Sequence, residues 1–172
     1  MLPKILVAGI GNIFLGDDAF GVHVAQRLSG RRLPECVRVV DFGIRSFDLA
    51  YALMDGYDAT ILVDATPRGG TPGTLYTIEP DLDSIEADDL DSHGMNPMKV
   101  LGLVRAMGGE FKRILVVGCE PAVPGPDEEF QMGLSPAVEA AVDGAAAMVE
   151  LLINQLIEKE NPNGALQQKV QD

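Results

Sequence analysis

Apolar residues in this chain fall into short blocks whose spacing switches between that of buried strands and that of amphipathic helices. Residues 4–9, KILVAG, form an apolar run closed by glycine, the pattern of a strand buried on both faces of a parallel sheet. After a glycine-rich loop, Phe20, Val24 and Leu28 share one face of a helix predicted over 19–28. A second β-rich run follows at 37–42, a short helix at 47–54 and a third buried strand at 59–64. Residues 73–78 alternate polar and apolar, which predicts an edge strand or one arm of a hairpin.

The acid-rich stretch 79–92 has little apolar periodicity and reads as a surface loop. Asn96 and Pro97 make an N-cap and first-turn pair, and Val100, Leu101, Val104 and Met107 continue that helix. Residues 113–118 give the last buried strand. A Pro- and acid-rich connection follows at 120–133, its 120–129 part read as solvated surface. Ser135 and Pro136 open a long helix with Val138, Val142, Ala145, Val149, Leu152 and Leu156 on its buried face. Strands alternating with helices predict an α/β three-layer sandwich, with a mostly parallel sheet of about five strands and one antiparallel edge strand. No repeat or linker divides the chain, so a single domain is expected over 1–158, followed by a polar tail over 159–172.

Charge narrows the function. The 172 residues carry 26 Asp and Glu against 13 Lys and Arg, a formal net charge of −13. Such a surface repels phosphate backbones and anionic lipid, and no Lys/Arg stripe offsets it, which argues against nucleic-acid and membrane partners. The longest apolar stretches run to about ten residues, short of a bilayer span. The first residues lead into a strand pattern without the features of a secretory signal. Cys36 and Cys119 fit neither a disulfide framework nor a zinc-finger spacing. The cytoplasm is the simplest compartment for such a chain.

The loop after the first strand is not built for a nucleotide. Gly9-x-Gly11 lacks the third glycine of a dinucleotide fingerprint, because Phe14 stands there. Gly11 and Gly16 have phosphate-loop spacing, but Asp17 and Asp18 occupy the places of its Lys and Ser/Thr. Two acids at a helix start also complement the helix dipole. If the strand order reverses between the first and third strands, however, Asp18 and Asp64 face one crevice at the carboxyl ends of the strands. Asp64 closes an apolar strand, where it serves either as a turn residue or as a metal or catalytic carboxylate. His93, on a glycine-flanked loop, is either an ordinary loop histidine or the third member of that set. Two carboxylates and an imidazole suit Zn²⁺, Ni²⁺ or a similar ion.

The motifs occur in a specific order. They are Gly9-x-Gly11-Asn12 with Gly16-Asp17-Asp18-x-x-Gly21, Asp41-x-Gly43, the 61–65 run ending in Asp64-Ala65, Gly73-Thr74, Ser92-His93, the 117–121 run through Cys119-Glu120-Pro121, and Gly133-Leu134-Ser135-Pro136-x-Val138. In this order the chain resembles the [NiFe]-hydrogenase maturation endopeptidases over roughly residues 4–156. The resemblance implies a fold that is phosphorylase/hydrolase-like and flavodoxin-like in arrangement. It implies removal of a C-terminal extension from the precursor of the hydrogenase large subunit after nickel insertion. By the same resemblance Asp18, Asp64 and His93 are the metal-binding and catalytic trio. It further implies that the nickel is carried by the substrate, although another divalent metal could occupy the site. The resemblance also implies that Asp41 and Gly43 contribute to substrate binding. Many relatives have Glu at the position of Asp18, and many read Asp-Gly-Gly-Thr where this chain has Asp41-Phe42-Gly43-Ile44.

The family is sometimes catalogued with aspartic-type peptidases, yet no paired hydrophobic-Asp-Thr/Ser-Gly repeat is present. Neither H-E-x-x-H nor G-x-S-x-G occurs. A Cys119–His93 thiol pair is a further possibility, set against the usual packing role of a buried cysteine. The rival class is a non-catalytic metal-delivery or assembly factor binding the same precursor. A flavodoxin-like small-molecule binder is a third, disfavoured by the acidic first loop.

Overall fold

The computed structural model describes residues 1–85, 96–125 and 131–160. Five strands, β1 (Ile5–Ile10), β2 (Val37–Gly43), β3 (Ala59–Ala65), β4 (Leu75–Ile78) and β5 (Arg113–Cys119), form one sheet in the order β2-β1-β3-β5-β4. All neighbours pair in parallel except β4, which runs antiparallel to β5 at the sheet edge. The expected α/β sandwich and its antiparallel edge strand are therefore present.

Alternation along the strands builds the layers. Ile5, Val7, Ile61, Val63 and Val117 point to one face, where α1 (Phe20–Ser29) and α4 (Pro136–Glu160) lie. Leu6, Ala8, Ile10, Leu62 and Val116 point to the other, covered by α2 (Ser46–Leu53) and α3 (Pro97–Ala106). β1 is buried along its whole length, as two-sided helix cover requires. Phe20, Val24 and Leu28 are all fully buried on α1, as their spacing predicts. Asn96 caps α3, its side chain accepting from the Met98 N–H at 2.9 Å, with Pro97 in the first turn. Met107 lies just past the end of α3 rather than inside it, because the chain turns there through Gly108 and Gly109.

Two further differences are local. A 3₁₀ turn, Gly16–Ala19, precedes α1, so the helix starts one residue late. On α4 the buried stripe runs through Val149, Ile153 and Leu156, and Leu152 flanks it half-buried. The step of four from Val149 keeps Ile153 over the sheet, whereas the step of three turns Leu152 aside. α4 has 25 residues and is long and apolar enough, by length and composition alone, to cross a membrane. Its apolar face is nonetheless part of the core over β1, β3 and β5. Beyond Glu160 the expected tail lies outside the described residues.

Candidate active site

The chain leaves β1 toward β2 on one side and later returns to pair β3 on the other. A sheet opens a crevice at such a reversal, beyond the carboxyl ends of its strands. The loop from β1 into α1 is pressed down on that crevice. A Cβ on Gly11 would lie 1.9 Å from the carbonyl oxygen of Asp18, and one on Gly21 would lie 1.9 Å from that of Val63. Only glycine permits either approach.

This packing gives the adjacent acids opposite fates. Asp17 turns inward and is buried. Its carboxylate accepts from the Ala122 N–H at 2.9 Å, the Ser135 N–H at 2.7 Å and the Ser135 hydroxyl at 2.8 Å. Asp18 is half-buried and accepts from the Asn12 N–H at 2.8 Å through Oδ2. Its Oδ1 has no hydrogen-bond donor among the described residues.

Two clefts meet at Asp18. One, of about 510 Å³, is walled by Leu15, Pro121, Val123, Met132 and Leu134. The other, of about 430 Å³, holds Asp64 together with Thr66, Arg68, Pro80 and Met98. Asp18, Ala65 and Pro67 line both, so the pair forms a trough with Asp18 at its waist. The expected convergence of Asp18 and Asp64 is thus present in the second cleft.

Asp64 is 8% exposed. Burial raises its pKa well above the usual carboxylate range, and the charge of Asp18 raises it further. A backbone hydrogen bond from Ala65 offsets only part of this. An acid in such a position is poised to hold a proton or to meet a cation.

His93 lies outside the described residues. Among the described residues no three His, Cys, Asp or Glu side chains converge as a metal site. The carboxylates of Asp18 and Asp64 fit a cation, because one has an oxygen without a donor among the described residues and the other is destabilised as an anion. Asp41 and Gly43 sit elsewhere, in a separate cleft of about 370 Å³ with Ile13, Phe14 and Ile44. There the Asp41 carboxylate accepts from the Gly43 N–H at 2.9 Å, and the Gly43 carbonyl accepts from the Gly11 N–H at 3.0 Å. This third cleft shares the Gly11–Phe14 loop with the Asp18 side of the molecule.

Glu120 corrects the expectation of a wholly solvated connection, because it is 4% exposed. Its carboxylate accepts from the N–H groups of Arg68 at 2.8 Å and Gly69 at 3.0 Å and from the Tyr76 hydroxyl at 2.8 Å. Burial pushes its pKa up, but these donors outweigh burial and hold it below the usual range. The sequence signal was the one that marked Asp64, an acid directly after an apolar strand. Cys119, beside it, is fully buried.

The family model described as hydrogenase maturation protease, HycI, matches residues 22–152. The chain belongs to the hydrogenase maturation protease family. A putative hydrogenase maturation protease of Methanocaldococcus jannaschii is 33% identical over 162 residues, covering 88% of this chain and 96% of that protein. The structure of the hydrogenase maturating endopeptidase HybD from Escherichia coli superposes with a TM-score of 0.69 at 30% identity, over 88% of this chain and 93% of that one. The [NiFe] hydrogenase maturation protease HycI from Thermococcus kodakarensis gives 0.64 at 25% identity, over 89% and 94%. Membership makes this chain a maturation peptidase, and an assembly factor without peptidase chemistry is set aside.

Proposed function

We propose that this hydrogenase maturation protease removes the C-terminal extension of a [NiFe]-hydrogenase large-subunit precursor, and that Asp18, Asp64 and His93 engage the nickel this substrate carries. The observation that carries the reading is the convergence of Asp18 and Asp64 on one cleft at the reversal of strand order. A carboxylate pair with one buried member, destabilised as an anion, favours a cation, and the trough on either side of Asp18 has room for an extended peptide.

The substrate's metal would polarise the scissile carbonyl or a water beside it. Burial raises the proton affinity of Asp64, which suits this carboxylate to take the proton of that water. The water adds its oxygen to the carbonyl carbon, and its proton passes through Asp64 to the departing amine. Asp41 and Gly43, with the exposed Ile13, Phe14 and Ile44 around them, supply a second contact with the precursor.

Purified precursor, with and without nickel, is incubated with the protein and weighed by mass spectrometry. Loss of the extension only from the nickel-loaded form supports the reading. Equal cleavage of nickel-free precursor removes nickel recognition from it. Single replacement of Asp18, Asp64 and His93 by Ala should each abolish cleavage. Full activity in all three variants removes the trio.

A further inference from the structure

The cleft that holds Asp18 and Asp64 has one basic side chain among its described lining residues, Arg68, and the adjoining cleft has none. Arg68 sits on the loop between β3 and β4, and that loop is pinned from below. The buried Glu120 carboxylate takes the N–H groups of Arg68 and Gly69 and the Tyr76 hydroxyl. The guanidinium of Arg68 lies over the Tyr76 ring, 5.6 Å from its centre. Backbone and side chain are therefore both held in place.

Among the described residues the guanidinium has no anion. Arg27, Arg31, Arg45 and Arg113 each pair with a carboxylate within 4.0 Å, whereas Arg68, like Arg32, Arg38 and Arg105, makes no ion pair among the described residues, and of these four Arg68 alone lines the Asp18–Asp64 cleft. Glu120 lies close by, but its oxygens are taken up by the loop's own N–H groups and the tyrosine. A planar guanidinium over an aromatic ring, its side-chain donors unused among the described residues, is suited to bind a carboxylate through two hydrogen bonds, and its fixed position lowers the cost of doing so.

We propose that Arg68 forms a carboxylate-binding subsite at the rim of the Asp18–Asp64 cleft, and that it holds a carboxylate of the precursor peptide during processing. The proposal rests on the precursor-cleavage reading above. Hydrolysis itself supplies one such group. Water gives its oxygen to the acyl carbon, the amine departs with a proton, and the new chain end is a carboxylate beside two fixed acids. Without a cation the like charges repel. A carboxylate on the excised segment has the same chemistry and is the other source.

The test uses short synthetic peptides copying the new C-terminus and the excised segment, their sequences read by mass from the processed precursor. Each is made with a free C-terminal carboxylate and as its amide, and binding is measured by calorimetry to the wild-type protein, Arg68→Gln and Arg68→Lys. At least one free acid should bind the wild type roughly tenfold tighter than its amide. That preference should vanish in Arg68→Gln and survive in part in Arg68→Lys. The pair that shows it tells which end of the cut Arg68 holds. Equal binding of acid and amide in both pairs, or a preference that persists in Arg68→Gln, overturns the subsite. A wild-type protein that leaves the precursor uncut overturns the cleavage reading, and the subsite with it.

Discussion

Asp17 and Ser135 are joined twice across 118 positions of sequence, the carboxylate accepting from both the backbone N–H and the hydroxyl of the serine. With the Ala122 N–H as a third donor, one buried acid ties the loop after β5 and the start of α4 to the turn that carries Asp18. The neighbouring acids thus divide the work, Asp17 holding the wall of the trough and Asp18 facing into it.

Asp17→Ala leaves three donors without their acceptor. Each charge-assisted hydrogen bond contributes on the order of 1.5–3 kcal/mol, partly regained when water enters. The expected loss of unfolding free energy is about 2–4 kcal/mol, read from urea denaturation followed by circular dichroism. Asp17→Asn, which keeps one acceptor oxygen, should fall between this variant and the wild type. A loss no larger than that of an exposed acid such as Asp143→Ala would mean that the clamp contributes nothing.

Gly21→Ala should be costly although it adds one methyl group. That methyl would lie 1.9 Å from the Val63 carbonyl oxygen and 2.4 Å from that of Ile10, and backbone cannot yield as a flexible side chain does. A penalty of about 3 kcal/mol or more is expected, with α1 and the Asp18 turn lifted from β3. Thermal melts give the stability, and precursor cleavage gives the consequence for the site. A near-neutral substitution would show that α1 tolerates a looser seat.

Much of this was legible in the order of residues. β1 and β3 announce themselves by runs without polar interruption, and Phe20, Val24 and Leu28 by their spacing. The convergence of Asp18 and Asp64 follows from two facts the sequence contains, an acid after the first strand and an acid closing the third. A parallel sheet adds the reversal between them. The roles of Asp17 and Glu120 were not legible, because each depends on donors supplied from far along the chain. Ser135 lies 118 residues from Asp17, and Arg68 lies 52 from Glu120. Local pattern assigns such acids to the helix dipole or to solvent, and only tertiary packing shows them turned inward. The placement of Arg68 was hidden for the same reason, since it depends on Tyr76 beneath it.

Cys119 should be dispensable for cleavage. It is fully buried, and burial, followed by the nearby charges of Asp17 and Glu120, pushes its thiol pKa up to about 11. At neutral pH the reactive thiolate is then a fraction on the order of one in ten thousand. Cys119→Ala should process precursor at the wild-type rate once allowance is made for folded fraction. Native protein should resist alkylation at this position, a peptide-mapping measurement. Loss of cleavage in a well-folded Cys119→Ala protein would restore a thiol mechanism.

Asp64 should make the protein less stable as pH rises out of the acid range, the reverse of an ordinary paired carboxylate. Its folded pKa lies above the unfolded value of about 3.9, so between those two values the folded state binds more protons. Stability then falls with increasing pH across that window and stays reduced above it. Asp64→Asn removes the buried ionisation while keeping the shape of the side chain. Without added metal this variant should melt at a higher temperature than the wild type at neutral pH, and the gap should close as pH approaches the unfolded value. The same variant should fail to cut precursor, because amide replaces the group proposed to take the proton and meet the cation. Melting curves from pH 3.5 to 8 test the first half and mass analysis of precursor the second. A variant less stable than wild type throughout would mean that Asp64 is held by favourable contacts rather than strained by burial and by Asp18.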